Sequence, residues 1–114
     1  MDELRIDEGP GTAEGVRVFR LTGPMTMTTL FTFQETARRD GGPVTIFDLS
    51  GVPYMDSAAL GSLLGVHVSC QRHGRKYALI GISPRIASLL RMCHVDDILV
   101  MHPTLAEAES SLAG

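Results

Sequence analysis

The chain of 114 residues contains no tryptophan and only two cysteines, Cys70 and Cys93. They stand 23 apart with no C-x-x-C spacing, and the reading they carry is two semi-buried free thiols of a reducing compartment. A zinc site needs further ligands at organised spacing, and His67, His73, His94 and His102 show no such grouping. No apolar run approaches the roughly 20 residues that cross a bilayer. A basic excess is also missing: 10 Lys and Arg against 13 Asp and Glu leave a net charge of −3, which argues against nucleic acid or an anionic membrane as the main partner. The opening Met1-Asp2-Glu3-Leu4-Arg5-Ile6-Asp7-Glu8 is acidic and lacks the basic-then-apolar layout of a signal peptide, so the expected compartment is the cytoplasm. Neither a G-x-G-x-x-G loop, a Walker lysine nor a G-x-S-x-G elbow occurs. Those absences speak against a nucleotide-binding enzyme or a serine hydrolase.

What is present is an ordinary globular balance, 44% hydrophobic and 20% charged, which suits one domain over 1–114 with a proper core. Residues 4–6 suggest a short strand and Gly9-Pro10-Gly11 a turn. Gly15 to Leu21 alternates as a second strand, pairing with the first as a hairpin. A helix is expected from about Thr26 or Thr28 to Arg39, with Met27, Leu30, Phe31, Gln34 and Ala37 on one face and Gly41-Gly42-Pro43 as its stop. Exposed Phe or Met positions on that helix could support a weak homodimer. Val44 to Leu49 has the continuous apolar character of a strand covered on both faces.

A second helix is expected from Ser57 to about Arg72, with Leu60, Leu63, Leu64 and His67 or Val68 on its apolar side and Gly74 as a left-handed cap. Lys76 to Ile82 reads as a strand. Ser83-Pro84 then opens a helix over 84–92 that buries Ile86, Leu89 and Leu90. Ile98 to Met101 is the expected last strand, and Thr104-Leu105-Ala106-Glu107 a capping box for a helix lined by Leu105, Ala108 and Leu112. This order is α/β: a mixed, mostly parallel sheet of four to five strands, an N-terminal hairpin and about four helices.

The chemistry-bearing residues cluster where the second helix begins. Asp56 and Ser57 suit a helix N-terminus because their oxygens accept bonds from free backbone N–H groups. The same N–H groups and the helix dipole favour an added phosphate. Ser57, Gly61, Gly65 and Ser69 follow at intervals of four, a stripe without bulk whose two glycines each cost about 1 kcal/mol of helix propensity. Close packing against a neighbour explains such a stripe, and so does an exposed surface that a partner's backbone approaches.

The run Asp48-Leu49-Ser50-Gly51-Val52-Pro53-Tyr54-Met55-Asp56-Ser57-Ala58-Ala59-Leu60-Gly61 resembles the signature of STAS domains, the family of anti-sigma factor antagonists and of similar domains in sulfate transporters. The likeness extends to Gly74-Arg75-Lys76, to Gly81-Ile82-Ser83-Pro84 and to Ala106-Glu107-Ala108, in the right order along the whole chain. It implies a binding module rather than an enzyme, with no cofactor and no metal. In the antagonist branch the serine after the signature aspartate, Ser57 here, is reversibly phosphorylated. The unmodified form binds an anti-sigma factor that is itself a serine kinase, freeing the sigma factor, and a serine phosphatase resets the switch. The implied contact surface comprises Gly23, Pro24, Met25 and Thr26; Met55, Asp56, Ser57, Ala58 and Gly61; and Ser83, Pro84 and Arg85. Two departures stand out: Gly23-Pro24-Met25-Thr26 lacks the acidic residues common in many antagonists, and Ala58-Ala59 replaces a common Ser or Thr and Gly.

Rival classes lack their signatures. A phospho-accepting receiver domain would use Asp48 at the end of the central strand, but it needs an acidic pair after an earlier strand, where Leu21 leads into Thr22-Gly23. His67 sits mid-helix on the apolar side, a place for a packed histidine rather than a general base. The alternative within the family is a STAS subunit of a larger complex, such as a lipid-transport system or a stress-signalling scaffold, in which Ser57 is never modified.

Overall fold

The computed structural model describes residues 3–38 and 43–112. The elements are β1 (Arg5–Pro10), β2 (Val16–Thr22), α1 (Leu30–Arg38), β3 (Val44–Gly51), α2 (Ser57–His73), β4 (Lys76–Ile80), α3 (Pro84–Met92), β5 (Met101–His102) and α4 (Leu105–Leu112). They form a five-stranded sheet in the order β1-β2-β3-β4-β5, antiparallel between β1 and β2 and parallel elsewhere. The mixed α/β architecture with its N-terminal hairpin is the one expected from the element order.

Each crossover steps one strand further in the same direction, so the connecting helices collect on one face. Phe33 of α1, Leu60 and Leu63 of α2, and Ile86 and Leu90 of α3 pack there on Phe19, Phe47, Leu49 and Leu79. The strands' other side chains, Val16, Val18, Ile46, Ala78 and Ile80, pack with Ala108 of α4, flanked by Val44, Val100, Leu105 and Leu112. Alternation along the strands thus supplies two cores, a large one under three helices and a small one under one.

Local details depart from the sequence expectation for identifiable reasons. Strand β1 runs on through Pro10, which pairs with Arg17, and the turn falls at residues 11–15. Proline is tolerated because β1 is an edge strand, where a missing N–H need not break a ladder. Strand β4 stops at Ile80 rather than Ile82, because Gly81 adopts φ +70 and any side chain there would collide with Asp48 and Ser50. The expected strand 98–101 shrinks to Met101–His102, since Ile98 and Leu99 donate their N–H groups locally to the Val95 carbonyl.

Helix α1 begins at Leu30, after a turn in which Thr29 N–H donates to the Thr26 carbonyl at 3.0 Å. Its packed side runs through Leu30, Phe33, Thr36 and Ala37. Met27 and Phe31, expected on one face with Leu30 and Ala37, instead stand 73% and 72% exposed. The expected end of this helix at Arg39 and its stop at Gly41-Gly42 lie outside the described residues. In α2, Val68 faces solvent, while His67 packs edge-on to Tyr77 with its Nδ1 2.7 Å from the buried phenol oxygen.

On α4, Leu105 and Leu112 are only partly covered, and the second buried residue is Glu109. Its carboxylate accepts from Thr12 N–H at 2.9 Å, Thr12 Oγ1 at 2.5 Å and Ala13 N–H at 2.9 Å, tying α4 to the β1–β2 turn. Those donors, the Thr12 hydroxyl first, hold its pKa below the usual glutamate value.

Candidate functional site

Neighbouring parallel strands end side by side, so the loops leaving β2 and β3 emerge together. Gly23 N–H donates to the Gly51 carbonyl at 2.9 Å. Met25 N–H then donates to Tyr54 O and Asp56 N–H to Met25 O, both at 3.1 Å, with Met25 and Met55 forming a parallel bridge. The loop after β2 is stitched to the segment that enters α2.

Asp56 completes the seam. As N-cap of α2 its Oδ1 accepts from Ala59 N–H at 3.0 Å, while Oδ2 accepts from Met27 N–H at 2.9 Å. These backbone donors, Ala59 first and Met27 second, hold its carboxyl below the ordinary aspartate value. One residue therefore caps the helix and fixes the neighbouring loop, twice the role that an N-cap reading assigns to it.

Ser57 is the first residue of α2 and is exposed. Its N–H and that of Ala58 belong to the first turn, where the helix itself supplies no acceptor. Further along the same stripe, a Cβ built on Gly61 or Gly65 would meet nothing within 4 Å. That excludes close packing as the reason for the glycines and leaves the open surface. The helix accepts their cost and gains no internal contact in return.

The other residues of the expected contact surface divide into two groups. Thr26, Ala58, Gly61, Pro84 and Arg85 reach the surface at least in part. Pro24, Met25 and Met55 are buried, Met25 completely, so their side chains offer nothing to a partner. Met25 and Met55 sit in the large core and anchor the seam from below. The expectation of contact at these three residues is corrected accordingly. Gly23, at φ +112, serves the turn.

Ser83 N-caps α3, its Oγ accepting from Ile86 N–H at 3.2 Å. Arg85 behind it lies over the Tyr54 ring at 5.5 Å, so the α3 start joins the seam through a cation–π contact. Sequence reasoning missed Tyr54 as a surface residue, and it expected exposed Phe or Met positions on the first helix without tying Met27 and Phe31 to the Ser57 surface. The expected helical face grouped the last two with Leu30 and Ala37, which the structure separates from them. A turn signal was available in the Thr26–Thr29 cluster, where Thr29 Oγ1 accepts from Thr26 N–H and donates to the Pro24 carbonyl, both at 2.9 Å.

Among the described residues there is no group of three His, Cys, Asp or Glu side chains that could hold a metal ion. None of their helices is long and apolar enough to cross a membrane. The arrangement offers a hydroxyl, helix-end N–H groups and a flanking apolar pair, a surface for recognition.

The fold recurs in solved proteins. An anti-sigma factor antagonist from Mycobacterium paratuberculosis superposes with a TM-score of 0.84 over 97% of this chain and 95% of its own, at 18% identity. The Bacillus cell fate determinant SpoIIAA in its phosphorylated form does so at 0.68 over 95% and 99%, with 15% identity. A sulfate transporter family protein from Wolinella succinogenes reaches 0.68 over 90% and 91%, with 21% identity. Residues 11–108 match the family model of the STAS domain, and with most of its length inside that match the chain belongs to the STAS-domain family.

Proposed function

We propose that this STAS protein is a phosphorylation-gated anti-sigma factor antagonist of the cytoplasm, a binding module with no catalysis of its own. With Ser57 unmodified it binds an anti-sigma factor that is also a serine kinase and thereby releases a sigma factor. Phosphorylation ends binding, and a serine phosphatase restores it. The observation that carries this reading is the exposed Ser57 at the first position of α2, directly after an Asp56 whose two oxygens are already engaged.

A phosphate at Ser57 adds about −1.5 to −2 charge. The first-turn N–H groups and the helix dipole tolerate it, so the domain stays folded. Its neighbour Asp56 is held in the charged form, and repulsion between the two acts on the carboxylate that fixes Met27. The switch thus changes both the charge at Ser57 and the seating of the 23–29 loop. Met27 and Phe31 extend the contact surface on the α1 side, and Arg85 with Tyr54 on the α3 side.

Incubation with its cognate kinase and ATP, followed by mass spectrometry, is expected to place a phosphate on Ser57. An unmodified serine in the presence of active kinase would refute the gate. Ser57→Ala is expected to bind the partner constitutively, and Ser57→Asp about tenfold or more weakly, a loss of 1.4 kcal/mol or more. A second reading, a STAS subunit docked permanently in a larger complex, draws on the likeness to the sulfate transporter family protein. Equal binding by both variants would favour it.

A further inference from the structure

Between α1 and α2 the helices stand apart, and a half-open slot of about 560 Å³ lies over the sheet. That volume falls within the range of small-molecule sites. Its apolar walls are the partly buried Leu30, Ala37, Val66 and Cys70, and beneath them lie the buried rings of Phe19, Phe33 and Phe47, with centroids 5.8 Å apart for Phe19–Phe47 and 5.3 Å for Phe33–Phe47. Its α2 wall is Gly61 and Gly65, whose missing side chains leave open space.

Charge along the slot is uneven. Both helices end at the same side, and there Arg38, His73 and Arg75 border it. No Asp or Glu lines the slot among the described residues, in a chain whose net charge is −3. Arg38 pairs with exposed Glu35 of α1 at 4.0 Å. Across the opening, Gln34 Nε2 donates to Ser62 Oγ at 3.3 Å, joining the two helices. A partner helix, about 10–12 Å across, would have to break that tie, whereas a thin chain need not.

We propose that this slot binds a medium-chain carboxylate, its alkyl tail lying along Gly61 and Gly65 and its head between Arg38 and Arg75. The apolar walls provide the burial, and the cationic end sets the orientation. The slot's cationic end lies at the opposite end of α2 from Ser57, while its other end reaches Ala58 and Gly61 of the expected partner surface, so the decanoate readouts are made on unmodified protein without the partner.

The test uses the full chain with anilinonaphthalene sulfonate as fluorescent probe and decanoate as competitor. Saturable probe binding that decanoate displaces and decanol does not is the expected result. Gly65→Leu, whose Cβ enters open space and whose side chain occupies the slot, is expected to weaken decanoate about tenfold or more. Arg38→Gln and Arg75→Gln should each weaken it severalfold while leaving probe fluorescence detectable. A second measurement works in the Cys93→Ser background: decanoate is expected to slow alkylation of half-buried Cys70, which borders the slot. Displacement by decanol as strong as by decanoate would overturn the proposal, as would unchanged Cys70 alkylation. So would probe binding that persists in Gly65→Leu and disappears in Phe31→Ser, since that would place the probe on the outer face of α1.

Discussion

Helices α1 and α2 lie side by side on the same face of the sheet yet expose opposite kinds of surface. Helix α2 turns its glycines outward and keeps Ala59, Leu60 and Leu63 inside. Helix α1 turns Phe31 outward, preceded by exposed Met27, and buries Phe33 and Thr36. One helix sacrifices propensity to leave room, and the other leaves an aromatic ring uncovered. Neither choice improves the isolated domain, and where both meet, at Asp56 and Met27, the candidate site lies. Surface that costs stability without internal compensation is where binding is to be sought.

Substitutions that break this contrast differ in size. Phe33→Ala removes a fully buried ring from the packed side of α1 and is expected to cost about 3–5 kcal/mol in urea unfolding, whereas Phe31→Ala, two positions earlier, should stay within about 0.5 kcal/mol. Similar losses at both positions would mean that the helix sits in a different phase.

Next in size comes Asp56→Ala, which removes the N-cap of α2 and the Met27 tie together. It is expected to destabilise less than Phe33→Ala and more than Phe31→Ala. The folded carboxyl is held below its ordinary value, so its contribution is complete above the unfolded pKa of about 3.9 and is lost as pH falls through the lower folded value. Asp56→Asn, which keeps an acceptor for Ala59 N–H, should flatten acid unfolding curves in that window. The same sign applies to Glu109, so part of the acid dependence remains.

Smallest, and opposite in direction, is Gly61→Ala: with open space for the new methyl it is expected to stabilise by up to about 1 kcal/mol in the same assay. A loss of stability would mean that the stripe packs after all.

These contrasts also show what could be read before the fold was known. Helix α2 was legible because its ends carry local chemistry, Asp56 accepting from Ala59 N–H and Gly74 at φ +67. The start of α3 was legible for the same reason, through Ser83 and Pro84. The start of α1 was not. Its opening turn closes through Thr29, a residue with weak helical preference, and Met27 and Phe31 extend the apolar spacing of Leu30 and Ala37 onto a side that is exposed. Short β5 was misplaced because Ile98 and Leu99 are apolar enough for a strand but close their hydrogen bonds within a turn.

By itself the sequence determined the order of elements and the position of Ser57 at a helix start, because each depends on neighbours a few residues away. That order implies the mostly parallel sheet through its strand–helix–strand crossovers. Only tertiary structure decided that Met25 and Met55 lie inside, that Asp56 ties two loops, and that Glu109 is buried on Thr12 and Ala13. Those outcomes depend on backbone N–H groups and side chains brought together from distant parts of the chain, and no local pattern encodes which of them will meet.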